Sequence, residues 1–180
     1  MGALKNEATY TIDDIYKLPE GQRAELIDGK IYYMALPTFR HQKILLFLNI
    51  EIVNYIKKKK GSCEAIPAPF AVFLNENNKT YVEPDISVIC DKSKLTEKGC
   101  VGAPDWIIEI VSPSSKQMDY LVKMLKYSNC GVREYWIVDP LRNQIITYCF
   151  EEKTMEQYTF SDKVKASVYK DLEIDFSEIE

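Results

Sequence analysis

Residues 106–111 read Trp-Ile-Ile-Glu-Ile-Val, a run of five apolar residues interrupted by a single glutamate. Its apolar residues fall on both alternating faces, as expected for a strand that lies inside a sheet and is covered on both sides. A helical pattern follows from Ser115 to Gly131, which is a suitable left-handed stop, and residues 135–138 form a second apolar strand. This strand, helix, strand succession predicts a parallel crossover within one sheet.

The flanking segments add a hairpin, a long helix and more strands. Asp28-Gly29 between two apolar runs is a strong hairpin signal, and Thr38 can cap a helix that runs to about Lys57. Strands are also predicted over residues 63–74, 81–90, 144–150 and 155–160, with a loop over residues 91–105. We therefore expect an α/β or α+β fold, a sheet with helices on at least one face and an N-terminal β-hairpin.

Length and composition narrow the class of protein. The 180 residues suit one hydrophobic core, so a single domain over residues 1–180 is expected, with a flexible N-terminus at residues 1–9. The net charge of −4 excludes a uniformly basic nucleic-acid-binding surface. We expect no membrane span and no signal peptide, hence a cytoplasmic protein. Five cysteines without a CxxC pair, with one histidine, argue against zinc fingers and a disulfide framework.

Glu109 is the most informative candidate, because it places a carboxylate inside an apolar strand. A buried ionised carboxylate without a partner costs several kcal/mol, so this group should be protonated, paired with a cation or bound to a metal. A structural salt bridge, or a strand that surfaces at this point, is the alternative. We favour a metal or catalytic role by about two to one, since such groups tend to mark sites.

Asp85 is a candidate only in combination with Glu109. It follows Pro84, which cannot donate to a central ladder, so an edge or a bulge is expected there. Taken alone, Asp85 is typical of a solvent-facing strand residue. Two carboxylates on adjacent strands would repel unless a divalent cation lay between them, and oxygen ligands suit Mg²⁺ or Mn²⁺.

The helix after Glu109 combines an apolar and a polar stripe. The residues expected to face inward are Met118, Leu121, Val122 and Leu125, and the polar stripe beside them contains Asp119, Lys123 and Lys126. Lys123 can lean toward the sheet and stabilise charge on a phosphate. A solvated pair between Asp119 and Lys123 is equally consistent with the spacing.

Weaker candidates lie elsewhere in the chain. Glu25 is typical of an exposed strand-end carboxylate, and His41 could carry a proton or contact a phosphate, although a lone histidine is more often structural. The lysines at 57–60 could contact a nucleic-acid backbone, but we favour a solvated helix end by about three to one. GxxxxGK, GxGxxG and GxSxG motifs are absent, so nucleotide hydrolysis, Rossmann cofactor binding and serine hydrolysis lack support.

Taken in order, these segments resemble the Uma-type endonuclease family of the PD-(D/E)XK nuclease superfamily. The matching pieces are residues 25–29 (Glu-Leu-Ile-Asp-Gly), His41, residues 83–88 (Glu-Pro-Asp-Ile-Ser-Val), residues 104–114 (Pro-Asp-Trp-Ile-Ile-Glu-Ile-Val-Ser-Pro-Ser), Asp119, Lys123, Tyr127 and residues 131–140 (Gly-Val-Arg-Glu-Tyr-Trp-Ile-Val-Asp-Pro). The resemblance implies a restriction-endonuclease-like mixed sheet flanked by helices.

The resemblance also implies roles for individual residues. Asp85, Glu109 and the backbone carbonyl of Ile110 would hold Mg²⁺, or Mn²⁺ in its place. Val111 stands where the superfamily usually has lysine, and Lys123 matches the position from which this family supplies the ammonium group. Glu25 matches an acid that assists the metal. The possible auxiliary residues are His41, Asp119 and Tyr127.

The function that this resemblance implies is a Mg²⁺-dependent endonuclease that hydrolyses DNA with a metal-activated water and acts as a homodimer. Two other functions remain open from the sequence. One is a catalytically inactive module of the same fold that binds nucleic acid or protein. The other is a metal-dependent hydrolase of another phosphoester.

Overall fold

The computed structural model describes residues 9–75, 77–113 and 115–179, so most of the expected flexible N-terminus and Ser114 lie outside it. The helices and strands are α1 (Ile12–Tyr16), β1 (Ala24–Ile27), β2 (Lys30–Tyr33), α2 (Phe39–Lys58), β3 (Glu64–Pro67), β4 (Val72–Phe73), β5 (Ile86–Ile89), β6 (Leu95–Thr96), β7 (Gly99–Val101), β8 (Trp106–Ile110), a π-helix (Met118–Lys123) that continues into α3 (Met124–Cys130), β9 (Glu134–Asp139), β10 (Gln144–Cys149), β11 (Thr154–Tyr158), β12 (Lys163–Lys165) and β13 (Glu173–Asp175). Short 3₁₀ turns lie at Lys92–Lys94 and Phe176–Glu178. Within the described ranges, no helix is both long enough and apolar enough to span a membrane.

The main sheet has six strands in the order β11-β10-β9-β8-β5-β3. The central pair, β8 and β9, is parallel, and the other neighbouring pairs are antiparallel. The crossover between β8 and β9 runs through the π-helix and α3. The predicted mixed sheet with flanking helices and a parallel crossover is therefore confirmed.

The two faces of this sheet support separate apolar layers. The first layer lies under α2 and includes Ile44, Leu48, Ile52, Ile86, Val88, Trp106, Ile108, Trp136 and Val138. The second lies under α3 and includes Ile89, Ile107, Val111, Tyr127, Val132, Tyr135 and Ile137. Because side chains alternate along a strand, Glu109 lies on the same face as Ile107 and Val111, toward α3.

Local signals in the N-terminal third are confirmed by the structure. The β1–β2 hairpin turns at Asp28 and Gly29, whose φ angles of +50° and +79° suit the turn that an Asp-Gly pair favours. The helix α2 starts after Thr38, whose side-chain oxygen accepts a hydrogen bond from the His41 backbone N–H at 3.2 Å. This cap fixes the direction in which α2 leaves the hairpin.

The strand predictions over residues 63–105 need correction. Residues 63–74 form two short strands, β3 and β4, and the strand expected over residues 81–90 begins only at Ile86. Tyr81 and Val82 make isolated bridges instead, to Leu26 and Val72. The segment expected as a loop over residues 91–105 contains β6 and β7, which pair with each other and with β4. These pairings are long-range, so the local pattern did not reveal them.

One disulfide, between Cys63 and Cys90, also departs from the sequence expectation. The strands β3 and β5 pair antiparallel with Glu64 opposite Ile89, so the next residues outward, 63 and 90, face each other. The remaining cysteines, Cys100, Cys130 and Cys149, are free thiols. Strand register brings the disulfide partners together, and their spacing in the sequence gives no sign of it.

Candidate active site

A cavity of about 610 Å³ opens between the start of α2, the hairpin strand β1, the end of β8 and the π-helix. The sequence-predicted residues that line it are Glu25, His41, Asp85, Glu109, Ile110, Asp119 and Lys123. Tyr127 lies below the cavity floor, fully buried. The structure therefore brings every candidate of the sequence analysis to one place, apart from the lysines at 57–60.

Lys123 stands at the centre of the cavity floor. Its Nζ atom lies 2.8 Å from Glu25 Oε2, 2.9 Å from Glu109 Oε1 and 3.6 Å from Asp119 Oδ1. All four side chains are 6% exposed or less. Tyr127 adds a hydrogen bond from its hydroxyl to Glu109 Oε1 at 2.7 Å. One ammonium group thus lies beside three buried carboxylates. When all three carboxylates are ionised, the cluster of four groups has a net charge of −2.

Lys123 is the last residue of the π-helix, and it points inward. The i→i+5 hydrogen bonds of a π-helix place an extra residue in the turn and rotate the side chains relative to a regular α-helix. Asp119, Lys123 and Tyr127 are buried on the side of the sheet, whereas Leu121 and Leu125 are 55% and 57% exposed. The predicted inward positions of Leu121 and Leu125 are wrong, and so is the solvated pair between Asp119 and Lys123.

Glu25 is buried, which corrects its interpretation as an exposed strand-end residue. Its Oε1 atom accepts a hydrogen bond from the Glu83 backbone N–H at 2.9 Å, while Oε2 contacts Lys123. The strand β1 is covered because Leu26 pairs with Tyr81 on the opposite side from β2. Burial of Glu25 therefore follows from a contact between distant segments.

Asp85 lies at the junction of α2 and the end of β8. Ile86 pairs with Ile108 in the antiparallel β5–β8 ladder, so the preceding Asp85 reaches the last residues of β8. Its Oδ2 atom accepts a hydrogen bond from the Ile110 backbone N–H at 2.7 Å and lies 3.2 Å from His41 Nε2. Asp85 and Glu109 thus flank the same end of the sheet, with His41 behind Asp85.

The comparison with known families follows this geometry. Residues 12–177 match the Uma2 family, whose description is "Putative restriction endonuclease". The chain belongs to the Uma2 family. The resemblance identified from the sequence motifs is therefore confirmed.

Two relatives place the Uma2 chain among proteins of known sequence or structure. A crystal structure from Anabaena variabilis, described as "a putative nuclease belonging to DUF820", is similar with a TM-score of 0.75 and 25% identity, over 94% of this chain and 96% of that one. The uncharacterized protein slr1290 of Synechocystis sp. is 27% identical over 128 residues, which are 71% of this chain and 66% of that protein. The match thus leaves about a third of the Synechocystis protein uncovered. The similar crystal structure confirms the fold class.

Burial controls the protonation of the Uma2 chain's acidic cluster. It raises the pKa of Glu109 well above its ordinary value, with the Lys123 ammonium opposing. It also raises the pKa of Asp119 to about 6, against the effects of Lys123 and the Ser115 hydroxyl. For Lys123, burial opposes the charge, but Glu109, Glu25 and Asp119 outweigh it, so its pKa rises well above the ordinary value. Lys123 is therefore charged at neutral pH.

His41 responds to its carboxylate neighbour. Burial lowers its pKa, but the hydrogen bond and charge of Asp85, with smaller contributions from Gln42 and the backbone of Ile110, raise it above the ordinary value. A protonated His41 would donate from Nε2 to Asp85. The pair therefore holds Asp85 from the α2 side while the Ile110 N–H holds it from the sheet side.

The cavity of the Uma2 chain contains oxygen donors, the type of ligand atom that hard divalent cations prefer. Asp85, Glu109 and Asp119 supply carboxylate oxygens to the cavity, and both Asp119 oxygens are buried without a well-formed hydrogen bond. In the described part of the chain, no group of three or more Asp, Glu, His or Cys side chains is arranged to hold a metal ion. A cation bound by Glu109 would share that carboxylate with Lys123.

Sequence reasoning assigned no role to Glu83 and Arg23, which also line the cavity. The Glu83 carboxylate pairs with Arg23 and accepts a hydrogen bond from the Tyr81 hydroxyl at 2.6 Å, while its backbone N–H holds Glu25. Glu83 precedes Pro84 and Asp85, so its place beside a candidate acid was the available signal. Its partner Arg23 lies sixty positions earlier, which no local pattern reveals.

Proposed function

We propose that this Uma2 chain is a Mg²⁺-dependent endonuclease that hydrolyses DNA phosphodiester bonds with a metal-activated water. The observation that supports it is the meeting of Asp85, Glu109 and Lys123 in one cavity, from three segments that are far apart in the sequence. Carboxylates can hold a divalent cation that activates water at neutral pH, and a neighbouring ammonium group can stabilise charge on the phosphate. The family and the similar crystal structure favour a nuclease over other hydrolases.

In this proposal different residues bind the cation, assist the reaction and position the lysine. Asp85, Glu109 and the Ile110 carbonyl would hold the cation, which when bound supplies positive charge at the phosphate and lowers the pKa of water. Lys123 orients the attacking water or stabilises negative charge on the phosphate oxygens. Glu25 keeps Lys123 in the cavity through its 2.8 Å contact.

Two further residues act as positioning residues. Tyr127 donates to Glu109 Oε1 at 2.7 Å and so fixes the orientation of that carboxylate. His41 holds Asp85 together with the Ile110 backbone N–H. Groups of this kind keep catalytic side chains in a narrow range of positions, which accelerates the reaction without contact to the substrate.

The substrate and assembly are part of the same proposal. We infer DNA as the substrate, a homodimer as the cutting form, since two opposed strands need two sites, and the cytoplasm as the location. The net charge of −4 predicts weak non-specific binding with a shallow dependence on salt. Binding should therefore depend on contacts close to the cavity.

A cleavage assay tests the proposal. The purified protein is incubated with supercoiled, linear and single-stranded DNA in Mg²⁺, Mn²⁺ or EDTA, together with Glu109→Gln, Lys123→Ala and the control Lys126→Ala. Metal-dependent cutting that both site variants abolish and the control retains supports the proposal. DNA retention without cutting would instead indicate a non-catalytic binding module. Turnover of a small phosphodiester alone would indicate another hydrolase.

A further inference from the structure

Lys123 and a divalent cation would need the same carboxylate oxygens. The ammonium group lies 2.8 Å from Glu25 and 2.9 Å from Glu109, and Glu109 is also a proposed cation ligand. Like charges a few ångströms apart in a buried cavity repel strongly. Cation binding at Glu109, which rests on the proposed function, therefore requires that the ammonium group move away from that carboxylate or share it at a cost.

Asp119 offers the place to which the ammonium group can move. Its side chain is 1% exposed and lines the cavity. The Ser115 hydroxyl is near enough to lower the pKa of Asp119, but neither carboxylate oxygen makes a hydrogen bond of normal geometry. The Asp119 Oδ1 atom lies 3.6 Å from Lys123 Nζ, beyond the range of a strong contact. Burying a carboxylate without a hydrogen-bond partner costs free energy. A closer approach of the Lys123 ammonium group to Asp119 would therefore be favourable.

The geometry of the π-helix makes this movement small. Asp119 and Lys123 lie four residues apart on the same helix, so rotation of the flexible lysine stem is enough and the helix need not move. The position of Asp119 is itself fixed, because the Tyr135 hydroxyl donates to the Asp119 backbone carbonyl at 3.0 Å. The remaining charged groups that face Lys123 are Glu25 and Glu109, which pull it the other way.

We propose that Asp119 is a positioning residue that receives the Lys123 ammonium group when a divalent cation binds Glu109. Lys123 then has two positions, one on Glu25 and Glu109 and one on Asp119. The lysine competes with the cation in the first position and is held beside the substrate phosphate in the second. Asp119 acts on the cation only through Lys123, which separates this role from that of a direct ligand.

A double-mutant cycle of cation binding tests the proposal without any DNA. Calorimetric titration with Mg²⁺ and with Mn²⁺ is applied to the wild-type chain, Lys123→Met, Asp119→Asn and the double variant. Removal of the competing ammonium should tighten cation binding by about tenfold, and Asp119→Asn should weaken it by about threefold to tenfold in the wild-type background. In the Lys123→Met background, Asp119→Asn should have almost no effect.

Matched controls are Lys126→Met on the same helix and Asp13→Asn on an exposed turn of α1, neither of which lines the cavity. Circular dichroism verifies that each variant is folded. If Lys123→Met does not fold, Lys123→Gln replaces it in the cycle. The shift in melting temperature on Mn²⁺ addition is then compared for Asp119→Asn with and without Lys123→Gln, so that both backgrounds are still measured.

Three outcomes would overturn the inference. If Asp119→Asn weakens cation binding equally in both backgrounds, Asp119 is a direct ligand. If it leaves the affinity unchanged in the wild-type background, Asp119 has no role in cation binding. If no folded variant binds the cation, there is no competition between the cation and Lys123. Cation binding with the expected non-additivity but without DNA cleavage would instead refute the nuclease proposal and leave this inference standing.

Discussion

Two buried carboxylates on adjacent central strands, Glu109 and Glu134, are held in different ways. Glu134, fully buried at the start of β9, accepts hydrogen bonds from the Trp136 indole N–H at 2.6 Å and from the backbone N–H groups of Ser167 at 2.9 Å and Val168 at 2.7 Å. All three donors are neutral and fixed by the fold. Glu134 is not among the residues that line the cavity described above.

Glu109, near the end of β8, has a mobile cation as its main partner. It is held by the Lys123 ammonium and the Tyr127 hydroxyl, and it lines a cavity that Glu134 does not reach. Burial raises the pKa of both carboxylates. Burial and a shifted pKa are therefore shared properties, and the difference between a structural and a candidate functional carboxylate lies in its partners and its access to solvent.

The largest effect should come from removing the partner of Glu109. Lys123→Ala leaves three buried carboxylates without their shared cation, and such a loss costs about 3–5 kcal/mol in the free energy of unfolding. Urea denaturation at pH 7 measures it. The control Lys126→Ala breaks a more exposed pair with Asp28 and should cost less than about 1 kcal/mol. Equal losses in the two variants would show that the Lys123 cluster is not specially desolvated.

A substitution at each carboxylate sharpens the contrast between activity and stability. Glu109→Gln should lower DNA cleavage by at least about a hundredfold, because the charge at the proposed cation site is lost. Glu134→Gln should keep the cleavage rate per folded molecule, while the free energy of unfolding falls by about 1–3 kcal/mol as backbone donors lose an acceptor. A plasmid-nicking assay and urea denaturation on both variants check this. Loss of activity in folded Glu134→Gln would contradict the distinction.

The third prediction concerns pH. The pKa of Asp119 is raised from 3.8 to about 6 in the folded chain, so the folded state binds more protons than the unfolded state between these values. Stability should therefore fall as pH rises from about 4 to about 6, by about 2 kcal/mol for this group. Asp119→Asn should remove that part of the slope. Urea denaturation across this range checks it, with Asp13→Asn as the exposed control, which should keep the wild-type slope.

The smallest effect is expected at His41. His41→Ala removes one of two groups that hold Asp85 and should lower cleavage by about tenfold or less, since the Ile110 N–H remains. The cleavage rate measured as a function of pH distinguishes a positioning role of the imidazole from a role in packing alone. If His41 positions Asp85, the titration with the raised pKa of His41 should be absent from the profile of the variant. His41→Gln, which can still donate to Asp85, should recover most of the rate. No recovery would indicate another role for the imidazole.

The parts of the molecule that sequence predicted well depend on local signals. The alternation in residues 106–111, the Asp28-Gly29 turn and the Thr38 cap each act within a few residues, and the structure has all three. The candidate residues of the cavity came from an unusual carboxylate in one strand and from family motifs. Their roles as ligands stay predictions until they are measured.

The parts that sequence missed depend on long-range packing. The apolar spacing of Leu121 and Leu125 indicated an inward apolar stripe, but the structure exposes both leucines and buries Asp119 and Lys123, which lie in a π-helix. The desolvation free energy of a buried charged cluster is larger than the free energy lost by exposing two leucines. The three carboxylates around Lys123 offset this desolvation cost, but they come together only when distant segments of the chain pack against each other. Glu25 was misjudged for the same reason.

The cavity is assembled from widely separated pieces of chain, from Glu25 on the hairpin to Lys123 on the crossover. A nascent or proteolysed fragment that lacks either end would not contain the complete set of groups. Under the proposed function, such a fragment would therefore cleave no DNA. Truncations that remove Glu25 or Lys123 should abolish cleavage even where the shortened chain is expressed.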